Sequence, residues 1–156
     1  MEAERLIATG RRALADSRVE LDIVGEAWQA QMLAQAIGSH LVLHGPVELK
    51  GEARGLSEIG SRGGASPHHP ARALRLTGIS DVRRALLGLG ALLGEVGIAL
   101  VGVACATDEE GLYWQCIEAI DAADEAGDRV HGMLRRLALR ERARPPDAAG
   151  SSAGAA

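Results

Sequence analysis

Apolar residues recur along this chain at steps of three and four, and no useful stretch alternates apolar with polar, so the pattern predicts helices and no strands. The first helix runs from Glu2 to Ser17 and turns Leu6, Ile7 and Leu14 inward. A second starts near Ile23, with Ile23, Ala27, Ala30, Ala34, Ile37 and Leu41 on one face. Gly45-Pro46 ends it, because glycine suits a helix terminus and proline has no N–H with which to continue. Pro46 to about Gly60 reads as a weaker helix, since Gly51 and Gly55 each cost about 1 kcal/mol relative to Ala. Residues 60–70, Gly-Ser-Arg-Gly-Gly-Ala-Ser-Pro-His-His-Pro, are turn formers throughout and form the internal loop. A short helix follows over Ala71 to Leu76, and Ser80 is placed to cap a long apolar helix that begins at Asp81.

That long helix organises the chain. Leu86 to Ala106 carries one charge, Glu95, and Val82, Leu86, Leu89, Leu93, Val96, Leu100 and Val103 hold a strict four-three spacing. Leu87, Leu92, Ile98 and Val101 occupy its other faces, and a helix that is apolar all round is expected to be buried all round. Thr107 and Glu110 have the spacing of a capping box, which starts a last helix running to about Arg142. Its seam is Leu112, Cys116, Ala119, Ala123, Ala126, Val130, Met133 and Leu137. The segment 145–156 has nothing to bury and is expected to be a disordered tail. The fold class is therefore all-α: one domain over residues 1–144, an antiparallel bundle of about five helices around a central apolar helix at 82–106.

A span of this length also fits a membrane helix, with Arg83-Arg84 before it and three acids after it. Five glycines within it add little hydrophobicity, and an acid near the middle of a bilayer costs about 2.5 kcal/mol or more, so a core helix in water is the expectation and no membrane is expected. The amphipathic neighbours need such a core. Gly90-x-x-x-Gly94 would let a neighbouring backbone come close in either setting.

Composition narrows the picture further. The chain has no Phe, and Lys50 is the lone lysine among 17 basic residues, a skew that fits a GC-rich genome. The net charge of -4 gives no overall attraction to nucleic acid or anionic membrane. Met1-Glu2-Ala3-Glu4 is acidic where a secretory peptide is basic, so a cytoplasmic protein is expected, with Cys105 and Cys116 as free thiols.

Little in the chain is arranged for chemistry. Glu95 is the sharpest candidate: a carboxylate among Leu, Val and Ile needs a cation such as Arg11 or Arg12, or a route to solvent, or else serves as a ligand or proton-transfer group. Trp28, Tyr113 and Trp114 are the other candidates for a ligand or partner contact. Glu118, Asp121, Asp124, Glu125 and Asp128 share a face that lies opposite the seam, where solvated charge belongs. Asp128-x-x-His131 lacks matching ligands on other helices, and His40/His44 and His68-His69 lack a third ligand, so no metal and no cofactor is expected.

The last helix is split in charge, with eight acids and no base from Asp108 to Asp128, then six Arg against Glu141 from Arg129 to Arg144. The helix dipole favours that polarity, and two copies packed antiparallel would set acids against arginines, which suggests a homodimer. The arginine end lacks interleaved aromatics, so nucleic acid is not expected.

The stretch from Leu92 to Cys116, with Gly25-Glu26-Ala27-Trp28-Gln29-Ala30, resembles an uncharacterised family of small all-helical actinobacterial proteins of the Streptomyces type, a domain of unknown function. The resemblance runs from about Met1 to Leu137 and implies no catalytic residue. Together these readings point to a noncatalytic interaction or scaffold module that self-associates. The alternative is a small-ligand-binding or metal-dependent enzyme with its pocket near Glu95, Trp28 and Trp114.

Overall fold

A computed structural model of the chain describes residues 1–59 and 69–143. The elements are α1 (Ala3–Asp16), α2 (Glu20–His44), a 3-10 turn (Val47–Leu49), α3 (Lys50–Glu58), a second 3-10 turn (Arg72–Arg75), α4 (Val82–Ala106) and α5 (Glu110–Ala143). They form the expected all-helical bundle, with α4 packed against α1, α2 and α5, and α2 packed against α1, α3, α4 and α5. No strand occurs among the described residues; a single parallel bridge joins Glu2 to Gly78. Most of the loop predicted at 60–70 and the whole of the tail predicted at 145–156 lie outside the described residues.

The seams pack toward the core, with Ile23, Val82, Leu112 and Ala119 of the predicted set half-buried at its margin. Leu6, Ile7 and Leu14 of α1, Ala27, Ala30, Ala34, Ile37 and Leu41 of α2, and Leu86, Leu89, Leu93, Val96, Leu100 and Val103 of α4 are all buried. From α5 the core receives Cys116, Ala123, Ala126, Val130, Met133 and Leu137. The small side chains decide how closely helices approach. At Gly38 an added Cβ would lie 2.8 Å from the Ser57 backbone nitrogen and 2.9 Å from the Ala53 carbonyl oxygen, so α2 and α3 touch backbone to backbone there. α1 meets α4 through Gly10 against Leu92 and Gly88 against Ile7. Gly90-x-x-x-Gly94 makes no such approach: a Cβ at Gly90 would find only ordinary contact with Val130, and one at Gly94 would find nothing within 4 Å.

Neither predicted cap of the long helices forms as expected. Asp81, not Ser80, caps α4, its carboxylate accepting the Arg84 backbone N–H at 3.1 Å. Ser80 is diverted because its hydroxyl faces the carboxylates of Glu2 and Glu4, and Glu4 also accepts the Asp81 N–H at 2.8 Å. Thr107 does not open a capping box; it terminates α4, its N–H reaching the Val103 carbonyl at 2.9 Å. Its hydroxyl accepts from the Glu109 N–H at 3.1 Å, a local turn that delays the start of α5 to Glu110. This tight connection sets α4 and α5 antiparallel.

Candidate functional site

α4 is two-faced. Its seam is buried against α1, α2 and α5, but Leu87 is 55% exposed, Ile98 77% and Val101 48%. The expectation that α4 is covered on every side is therefore corrected: Leu92 abuts Gly10 of α1, whereas Ile98 is left largely exposed among the described residues. Taken at 100° per residue, Leu87, Ala91, Gly94, Ile98, Val101 and Cys105 fall on one line along the helix, a stripe about 27 Å long with no charge on it. Gly94, Gly102 and Cys105 are exposed as well. α4 is long and apolar enough to cross a membrane, with mean hydropathy 2.1 over its most apolar window, of which 39% is buried inside the protein. Packing against three other helices is the placement of a core helix.

Tyr113 and Trp114 stand on the first turns of α5, which follows the C-terminal end of α4. Both are exposed, Trp114 to 56%, and their rings meet edge to face at 5.3 Å. Glu95 sits at the edge of the stripe, on the surface. The guanidinium of Arg11 on α1 grips its carboxylate in a fork, Nε to Oε1 at 3.0 Å and Nη2 to Oε1 at 2.5 Å, with Nε also 3.2 Å from Oε2. The hydrogen bond to Glu95, and then its charge, hold Arg11 further toward its protonated form. Both partners are well exposed, so water and salt screen the pair. Glu95→Gln is expected to cost no more than about 1 kcal/mol in a urea titration, as surface pairs do.

The polar groups that the interior does use were not apparent from spacing. Gln29 and Gln31 are buried on α2 and hold backbone instead of each other. Gln29 accepts the Arg72 N–H at 2.8 Å and donates to the Pro70 carbonyl at 3.0 Å, while Gln31 donates to the Ile59 carbonyl at 3.2 Å. The Arg72 guanidinium reaches back to Glu26 at 2.7 Å and 2.8 Å. Two sides of one helix thus pin the chain before and after the 60–68 segment. The available signal was two amides, Gln29 and Gln31, set among Ala27, Trp28, Ala30, Met32, Leu33 and Ala34.

Among the described residues, the four residues singled out from the sequence stand in three settings. Tyr113 and Trp114 are together, Glu95 is engaged with Arg11, and Trp28 on α2 is half-buried with its indole N–H enclosed and without a partner among the described residues. Two open depressions lie elsewhere, one lined by Glu48, Arg136 and Arg140 among others, the second by Arg18, Glu20 and Asp108 among others. None of the four lines either depression.

The model of a family of unknown function, DUF6099, matches residues 1–136. The chain belongs to that family. Comparison with curated proteins and with solved structures gives no match. The matched span of this DUF6099 chain takes in α1 to α4 whole and α5 as far as Arg136, and with them the α4 stripe, the Arg11–Glu95 fork and the Tyr113–Trp114 pair.

The remaining titratable groups of the DUF6099 chain are spread out. No three His, Cys, Asp or Glu side chains among the described residues converge as metal ligands. The rings of His40 and His44 lie 4.8 Å apart on α2, and Asp128 and His131 are both exposed on α5. The acids Glu118, Asp121, Asp124, Glu125 and Asp128 all face solvent. The two thiols differ: Cys105 is exposed, whereas burial, and then the Glu20 carboxylate, push the Cys116 thiol up. In dilute native protein a disulfide reagent is expected to titrate Cys105 alone, and both thiols after denaturation; two thiols reacting at equal rates in the native state would contradict the packing of α5.

Proposed function

We propose that the protein is a noncatalytic cytoplasmic interaction module that self-associates. The observation that carries this reading is the apolar face of α4, exposed among the described residues while the opposite face of that helix forms core. Monomeric soluble proteins rarely leave a long contiguous apolar strip in water, because its burial is worth about 25 cal/mol per Å². The exposed Trp114 of α5 adds a residue type enriched where partners bind.

The charge split of α5 offers a second self-complementary surface. Its acids are exposed, as are Arg135, Arg136, Arg140 and Arg142, although Glu141 is paired with Arg83 at 2.6 Å and Arg129 leans toward Glu52 at 3.4 Å within the chain. Salt separates the two surfaces, since an apolar contact survives high ionic strength and a contact between solvated charges weakens. Sedimentation velocity over a range of protein concentrations, at low and high salt, is the test. A dimer that persists at high salt supports association through α4, and one lost with salt supports association through α5. A monomer under all conditions overturns the reading.

A further inference from the structure

We propose that the occupant of the α4 face is a second copy of this chain, its α4 antiparallel to the first, with the two-fold axis crossing the exposed stripe at the level of residue 96. This rests on the self-association proposed above and adds the surface and the register.

The argument lies in the order of side chains along the stripe. In an antiparallel pair centred at that level, each residue faces the one equidistant from it on the partner helix. Gly94 then receives Ile98, Ala91 faces Val101, and Leu87 faces Cys105. Every layer sets a larger side chain against a smaller one, and two-fold symmetry repeats each layer on the other side of the axis. The fit is sharpest at the centre. Ile98 is the most exposed of the large apolar side chains of the stripe, and the Cβ position of Gly94 opens on empty space. At the ends, the same register brings exposed Arg84 to the exposed acidic turn that starts at Asp108. A parallel pair does the reverse. It sets Ile98 on Ile98, leaves Gly94 opposite Gly94, and confronts Arg84 with Arg84 and Asp108 with Asp108, so that bulges collide, gaps stay open and like charges meet. Size and charge therefore both select the antiparallel arrangement.

Cross-linking reads the register directly. Leu87→Cys places a thiol opposite the natural Cys105 of the partner, and because Leu87 is half-exposed the fold of the single chain does not depend on it. Under mild copper-phenanthroline oxidation the variant is expected to form a covalent dimer whose peptide map contains the 87–105 link. Wild type is expected to give none through Cys105, since the two Cys105 thiols lie at opposite ends of the contact. As a second variant, Gly94→Leu fills the space that Ile98 enters, and is expected to weaken dimerisation by at least about 30-fold. The same substitution at Gly127, where added bulk also meets open space but on α5, is expected to leave dimerisation unchanged.

A dimer without the 87–105 link, or a wild-type link between the two Cys105 residues, overturns the register and leaves self-association standing. A chain that is monomeric throughout overturns both. Flotation of the monomer with phosphatidylcholine vesicles, in place of dimerisation, assigns the α4 face to lipid and likewise overturns the proposal.

Discussion

Replacing Leu89 with Ala is expected to lower the unfolding free energy by about 3 kcal/mol, whereas Leu87→Ala, two residues earlier, is expected to change it by less than about 0.5 kcal/mol in dilute monomer. Both are leucines of one helix, and composition alone ranks them equally. Leu89 is fully buried, so truncation removes the transfer free energy of its methyl groups and leaves a cavity that the surrounding helices only partly close. Leu87 is 55% exposed and leaves no cavity in the single chain. For a domain of this size the Leu89 variant should melt roughly 10 °C lower. Equal losses at the two positions in thermal or urea unfolding would mean that α4 is covered on both sides within one chain.

The second large effect belongs to Gly38. Gly38→Ala is expected to destabilise by about 2–3 kcal/mol even though alanine is the better helix former by about 1 kcal/mol. The added methyl would fall 2.8 Å and 2.9 Å from backbone atoms of α3, which cannot rotate away as a side chain can, so α2 and α3 must separate. Gly25 provides the control within the same helix. Nothing lies within 4 Å of its Cβ position, and Gly25→Ala is expected to be neutral or to stabilise by up to about 1 kcal/mol. Opposite signs of the two shifts, read from melting temperatures, identify the α2–α3 backbone contact. A neutral Gly38→Ala would show that the contact is looser than described.

Much of the fold was legible because each helix carries its own periodic signal. The seam residues of α1, α2, α4 and α5 are the ones the four-three spacing picked out, and Gly45-Pro46 ends α2 as glycine and proline chemistry requires. What was not legible depends on residues distant in the chain. Ser80 and Asp81 are both good N-caps, and the choice between them is made by Glu2 and Glu4, which draw off the serine hydroxyl. Leu92 and Ile98 look alike as apolar residues off the seam, but Leu92 finds another helix beside it, whereas Ile98 is left largely exposed among the described residues.

The candidate residues follow the same rule. A cationic partner for Glu95 was foreseeable from the cost of an unpaired carboxylate, and Arg11 fills that role from 84 residues away. The sequence left a cation and a route to solvent as alternatives, and the pair has both, because the hydrophobic neighbours of Glu95 in sequence stand on other faces of the helix. Gln29 and Gln31 escaped notice since their partners are backbone carbonyls and an N–H, groups every residue carries and no motif marks.

The account turns on one helix being core on one side and contact surface on the other. Sedimentation velocity of the full chain in detergent-free buffer, run beside Ile98→Arg, addresses this most directly. Wild type is expected at twice the 16.3 kDa chain mass at high protein concentration, and Ile98→Arg at the single-chain mass with an unchanged helical circular-dichroism spectrum. Identical masses for the two proteins, or an Ile98→Arg chain that no longer folds, would contradict it.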